Sequence, residues 1–292
     1  MAEQLNILGL WERSPEGPKE PEKPVELPPP LPIDPRQEEL LSGAHTLRNR
    51  IEDACVALDA SALRAAHGEL ISQYGDQSWA AQAPVWAAAL EQLSSSPPEA
   101  LLSLERFPSM TQFLFERVRT AALVRAALQL GADGTLADGR PSGYLALEAG
   151  DFALARQLLS DRKDARSLGY LGEAAWGQGD AFAAMQAYCR ASLVGEVDQA
   201  HLSCQPVMEL LDLGDELELE APFVWLAVLA DLSGKHSLGE FEVNASAPVR
   251  AAALLRAYRR DRSSLDEPGR IVAKRELARA SPAGLRELIR RL

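Results

Sequence analysis

From Pro35 almost to the C-terminus, apolar positions recur with the period of a helix. In DPRQEELLSGAHTLRNRIEDACVAL, Leu40, Leu41, Ala44, Leu47, Ile51, Ala54, Cys55 and Leu58 fall at i, i+3, i+4 spacing. Asp59-Ala60-Ser61 then predicts the cap of a second helix, with Leu63, Ala66, Leu70 and Ile71 on one face. In APVWAAALEQL, Pro84 stands in a first turn, where its missing N–H costs nothing. SSSPPEALLSL reads as a serine loop, a capping serine, and Pro and Glu opening the next helix. SMTQFLFERVRTAALVRAALQLG predicts a long helix stopped at Gly131. LELEAPFVWLAV alternates briefly, but Pro222 interrupts it, so no strand is predicted.

A longer period is superimposed on the helical one. Gly143 and Gly172 stand 29 residues apart, as do Gly150 and Gly179. Each unit reads Gly, six residues, Gly-Asp, then Ala- and Leu-rich text. The second glycine suits a left-handed stop, and the aspartate suits the N-cap of a return helix. Ala146, Ala149 and Ala155 in one unit, and Ala174, Ala175 and Ala184 in the other, allow two helices to approach closely. The expected unit is an αα-hairpin. A third hairpin is expected to turn at Leu213-Gly214-Asp215, and a fourth at Gly234.

LGADGTLADGRPSGYLALEAGDFALARQLL, residues 130–159, resembles an ankyrin repeat. Gly131-Ala132-Asp133 matches its opening turn, and Gly150-Asp151-Phe152 with Leu158-Leu159 matches its second helix. Ser142-Gly143-Tyr144-Leu145 replaces the family's TPLH core. Residues 167–192 resemble a tetratricopeptide repeat instead: Leu171-Gly172, Gly179, Ala184, Tyr188 and Ala191 fall at its spacings. Leu168, Ala175 and Glu196 replace the usual Trp, Tyr and Pro. Both families are helix-hairpin solenoids. The resemblance implies an all-α repeat solenoid that binds proteins.

Composition agrees with that expectation. Apolar residues make up 47% of the 292 and aromatics only 6%, with Ala and Leu prominent and β-branched residues sparse. The N-terminal region departs from it. Residues 12–35 hold nine of the 19 prolines and read as a disordered, extended tether. The PxxP pattern in ELPPPLP is ordinary for such a tail. Before it, Leu5, Ile7, Leu8, Leu10 and Trp11 cluster within residues 1–11. A disordered tail gains nothing by exposing them, so the cluster is expected to dock, either on this chain or on a partner. The expected division is thus a docking segment (1–11), a linker (12–35), an N-terminal helical region (36–130) and a helical-repeat region with basic capping helices (131–292).

The net charge of −12 argues against non-specific binding of nucleic acid over the whole surface. Glu209, Asp212, Asp215, Glu216 and Glu218 read as an acidic, partner-facing surface suited to a basic or extended protein segment. Residues 250–292 instead carry a local +7. Ser281 is expected to cap the last helix and Pro282 to open it. Leu285, Leu288, Ile289 and Leu292 form its buried face. Arg256, Arg259, Arg260, Arg286, Arg290 and Arg291 make the alternative contact, for a nucleic acid or another anionic surface, although only Tyr258 interrupts them as an aromatic.

Sites of chemistry are not evident. His45, His67, His201 and His236 are scattered, and His201 with Cys204 supplies only two of the ligands a zinc site needs. Cys55, Cys189 and Cys204 are odd in number and far apart, which is no disulfide framework. The sequence has no P-loop, dinucleotide fingerprint, nucleophile elbow or His-Glu-x-x-His. No apolar run reaches the ~18 residues of a membrane span, and MAEQLNILGLWERSPEGPKE has no basic leader. The expectation is a cytoplasmic, non-catalytic adaptor or scaffold without cofactor or metal. It would be an accessory of a larger complex, bacterial by the style of its composition.

Overall fold

The computed structural model describes residues 35–292 except Arg106, Gln199, Ala200, Glu240, Glu242, Val243 and Ala245, with side chains from Gly43 onward. The apolar cluster at Leu5–Trp11 and residues 12–34 of the 12–35 tether lie outside the described residues, and Pro35, expected to end the tether, instead begins the first helix. Ala44–Leu292 forms one compact unit. Among the described residues the secondary structure is all helix, and the one β-contact is an isolated bridge between Thr135 and Pro141.

The N-terminal helices are α1 (Pro35–Val56), α2 (Ala60–Tyr74), α3 (Ala83–Ser95), α4 (Pro98–Leu102) and α5 (Gln112–Leu130). The predicted cap at α2 forms, with Asp59 accepting from the Ala62 N–H at 2.8 Å, and α5 stops at Gly131 as predicted, while its N-cap, Thr111 accepting from the Leu114 N–H, was not foreseen. The predicted serine cap at α4 does not. Pro97 occupies that position, and Ser96 donates its hydroxyl back to the Gln92 carbonyl of α3. Leu47, Ile51, Leu63, Leu70, Trp86, Leu90 and Phe115 form a first core, while Ile71 is largely exposed.

The paired units follow as α6 (Gly143–Glu148), α7 (Phe152–Leu159), α8 (Ala165–Gly177) and α9 (Ala181–Val194). Their corners match atom for atom at the 29-residue offset. Gly150 and Gly179 have φ of 74° and 79°. The Gly150 N–H donates to the Leu147 carbonyl and that of Asp151 to Ala146; Gly179 and Asp180 do the same to Trp176 and Ala175. Asp151 and Asp180 each accept from the N–H three residues on, at 3.0 Å.

The close approaches recur too. A Cβ on Gly143 would meet Leu159 Cγ at 2.5 Å, and one on Gly172 would meet Tyr188 Cε2 at 2.6 Å. Residues 159 and 188 are themselves 29 apart. Glycines at these positions, rather than the alanines named from the sequence, make these close approaches. Phe152 of the first pair packs against Gly177 of the second.

The same backbone corner also appears where no glycine marks it. Leu58 (φ 56°) donates to the Cys55 carbonyl, and Asp59 donates to that of Ala54. Glu218 (φ 52°) donates to Asp215, and Leu219 to Gly214. This last corner corrects the expected turn at Leu213-Gly214-Asp215. Gly214 lies buried within α10 (Gln205–Glu216), where a Cβ would strike Pro222 Cβ at 2.7 Å. Its glycine serves a close approach, and the chain turns four residues later.

Beyond it come α11 (Leu226–Leu232), α12 (Ala247–Asp261), α13 (Glu267–Ala280) and α14 (Arg286–Arg290). Pro222–Trp225 is a 3-10 turn, as its proline allows. Gly234 (φ 72°) makes the expected corner after α11, but the return helix waits until Ala247. The predicted Ser281 N-cap does not form: its hydroxyl donates back to the Leu277 carbonyl of α13. Leu285 and Ile289 are buried as expected. Leu171 joins a second core around Tyr144, Leu145 and Tyr170 to a third around Tyr188, Leu226 and Leu255.

Candidate functional site

The acidic surface read from the sequence is physically assembled. Glu209, Asp212, Asp215 and Glu216 are exposed along α10, and Glu218 is exposed at its corner. Val207, Leu210 and Gly214 hold the opposite face of the helix in the core. Met208 is 39% exposed beside the carboxylates. Glu209 pairs with Lys235, whose ammonium holds its carboxyl below the usual range.

The six arginines read as an anionic contact are exposed, and four of them are already paired. Arg260 meets Asp261 at 2.8 Å, and Arg290 and Arg291 both meet Glu287. Arg259 Nε donates to Asp231 Oδ1 at 2.9 Å and its Nη2 donates to the Asp231 carbonyl. Arg256 lies 6.0 Å from the Phe241 ring centroid, and Arg286 is exposed.

Two polar assemblies were not foreseen. In the first, Tyr144 and Tyr170 pack with ring centroids 4.9 Å apart and planes tilted by 48°, and His201 sits edge-on to both. His201 lies between Glu148 at 3.8 Å and Asp198 at 3.7 Å, while Arg119 of α5 reaches Glu148. The Arg140 guanidinium covers Tyr144 at 4.2 Å and pairs with Asp138. Burial, with the Glu148 carboxylate, pushes the Tyr144 phenol up to about 12; Tyr170 is raised by burial and Asp198. Beneath it, the buried Glu173 accepts from the Tyr188 hydroxyl and from both the N–H and hydroxyl of Ser203. These contacts tie α8 and α9 to the segment that leads into α10. The residues join across up to 57 positions of sequence, so helical periodicity alone did not link them.

The second assembly surrounds Asp231, the one charge in the apolar stretch from Pro222 to Leu232. A lone carboxylate in such a run needs a partner, and that signal was legible. Asp231 is 5% exposed; Arg259 and the Leu238 N–H satisfy it. Next to it opens a groove of about 330 Å³ lined by Asp231, Gly234, His236, Ser237, Leu238, Arg256 and Arg259. Burial lowers the pKa of His236, partly offset by Asp231, and the ring of Phe182 covers it at 5.1 Å.

The thiols are quiet. Cys55, Cys189 and Cys204 are free and buried. Burial pushes Cys55 and Cys189 up to about 12 and raises Cys204. Among the described residues, no group of three or more His, Cys, Asp and Glu side chains is placed to hold a metal ion, and no helix is long and apolar enough to cross a membrane.

No family model, curated protein or solved structure matches this chain. Its all-helical architecture and local corners therefore stand on their own geometry.

Proposed function

We propose that this protein is a non-catalytic binding module: an adaptor or scaffold built on stacked helix hairpins of the ankyrin or tetratricopeptide type. The observation that carries this reading is the recurrence of one Asp-capped corner and one close approach at a fixed 29-residue offset. Units of that kind bury their own faces on each other and leave an extended outer surface for partners. The exposed carboxylates of α10, with Met208 among them, suit a basic or extended protein segment. The apolar cluster at Leu5, Ile7, Leu8, Leu10 and Trp11 adds a second contact at the end of a Pro-rich leash. Local ion pairs offset the charge of Arg259, Arg260, Arg290 and Arg291. They favour a protein partner over a polyanion.

The test is affinity capture with the full chain and with its Leu8→Asp/Trp11→Asp variant, each with and without nuclease. The expected result is a specific protein partner that survives nuclease, is lost with the double substitution, and leaves the melting curve unchanged. A clearly lowered melting temperature would place the cluster in the protein's own core. Nuclease-sensitive capture that vanishes at raised salt would overturn the protein-binding reading.

A further inference from the structure

Broad buried faces hold α8 and α9 in place; α13 has none. Leu277 alone of its 14 residues is buried. Asp266 caps the helix by accepting from the Gly269 N–H, and Arg270 donates to the Leu265 carbonyl. The outward side carries Ile271 and Val272, 44% and 53% exposed. The outer helices of a hairpin stack need a polar face toward water. β-Branched aliphatics also weaken an exposed helix rather than support it. Their stiff side chains lose little freedom when something covers them. The pair reads as a contact without its partner.

The charges around Ile271 indicate what that partner is. Glu267 lies four residues before it and Arg275 four after, and all three are exposed. Four residues advance a helix by about 6 Å and little more than one turn, so the three form one stripe. Within one chain the two charges stand about 12 Å apart along the axis, too far to pair. When a second copy of the helix runs antiparallel about Ile271, each Glu267 falls opposite an Arg275. Lys274, half-buried on the same side, adds to Arg275, while Glu276 and Arg279 lie round the helix toward Val272. Residues 246–292 are described throughout, so with Arg270 these are all the charges α13 carries. The stripe is complementary to itself, as a two-fold contact requires, because one patch must serve on both subunits. The helix dipole accounts for an acidic first turn and a basic last turn, but not for two exposed aliphatics midway between them.

We propose that α13 is a self-association contact. Two copies of this protein pair antiparallel through it, with Ile271 against Ile271, Val272 alongside, and Glu267 of each copy against Arg275 of the other. Exposed ion pairs contribute little affinity, so these set direction and register while the covered aliphatics hold the pair together. One pair of 14-residue helices falls short of the roughly 1,200 Å² of a standard interface, so the dimer is weak and forms as concentration rises. Pairing would double every partner site and raise avidity for a multivalent partner. The contact does not depend on what α10 captures.

Sedimentation velocity on the full chain, from about 1 μM to about 1 mM, tests this. Salt at about 0.15 M screens the repulsion between two bodies of charge −12 beyond about 8 Å and leaves close pairs in force. The weight-average mass should climb from 31.7 kDa toward twice that value. Ile271→Asp, which sets two carboxylates face to face on the axis, should hold it at the monomer value. Glu267→Arg and Arg275→Glu should each weaken the dimer by about tenfold, because two-fold symmetry applies every substitution twice. Glu267→Arg/Arg275→Glu in one chain should restore the homodimer. An equal mixture of the two single variants should form a heterodimer, since each then meets opposite charge. All these side chains are exposed, so the melting temperatures should match that of the unaltered protein. A monomer at every concentration, a dimer indifferent to Ile271→Asp, or no recovery on swapping the charges would each overturn the proposal. The adaptor reading would survive all three, since capture of a partner decides it.

Discussion

Replacing Gly172 by alanine should destabilise this protein, although alanine is the better helix former. Gly172 is buried within α8, and an added methyl would lie 2.6 Å from Cε2 and 2.7 Å from Cδ2 of Tyr188. Tyr188 has little room to yield: its ring is fully buried, and Glu173 holds its hydroxyl. Overpacking of this kind costs about 1–3 kcal/mol. Alanine returns up to about 1 kcal/mol of helix propensity. The net expectation is a loss of about 1–2 kcal/mol, or a fall of about 2–8 °C in melting temperature for a unit of this size. Gly68 supplies the control. It lies exposed within α2 with nothing within 4 Å of the added Cβ, so Gly68→Ala should raise stability. Circular dichroism melts would read both. Tyr188→Leu should relieve the clash, so the double variant should cost less than the sum of its parts. If Gly172→Ala matches Gly68→Ala in sign, the close approach of α8 and α9 is refuted.

The equivalence of the two corners can be tested by Asp151→Ala and Asp180→Ala, each expected to cost about 1 kcal/mol in denaturant unfolding; a loss at only one would mean the corners differ energetically. At high pH, Tyr144, Tyr170 and Tyr188 should keep their protons in the folded state beyond the ordinary value near 10, so stability present below pH 10 is lost as pH rises. Tyrosinate absorbance from these three should appear only together with loss of helical signal, and their ionisation in a still-folded chain would contradict the burial. Folded His236 binds its proton less readily than the unfolded chain does, so it contributes stability above about pH 6.5 that is lost as pH falls through that range. The denaturant midpoint should therefore drop less between pH 8 and pH 5 in His236→Gln than in the unaltered protein; equal drops would count against it. Iodoacetamide at mildly alkaline pH should leave Cys55, Cys189 and Cys204 unmodified until denaturant is added, and rapid native labelling would show a thiol that is neither buried nor raised.

The glycine corners were legible because two residues with distinct jobs stand side by side. A positive φ favours glycine, and an unpaired helix N-terminus favours aspartate. The corner at Leu58 carries only half of that signal: Asp59 could be read as a cap, but leucine in a left-handed conformation gives no warning. Gly214-Asp215 carried the whole signal and misled, since a glycine permits close packing as readily as a turn. Ser96 and Ser281 misled for a related reason. A serine at a boundary can serve the helix behind it as well as the one ahead, and both do. The Tyr144–Tyr170–His201 assembly and the groove at Asp231 depend on how the hairpins stack, which local periodicity does not specify. The acidic face of α10 was visible because its carboxylates share one helix.

The contacts of Glu173 bear on which length changes this chain can accept. One carboxylate is bonded at once to Tyr188 of α9 and to Ser203, so the stretch between Gly195 and Ser203 must close a loop of set span. A residue added or deleted there would pull Ser203 off the carboxylate and leave a buried charge short of donors. Natural or engineered insertions between Gly195 and Ser203 should therefore be rejected.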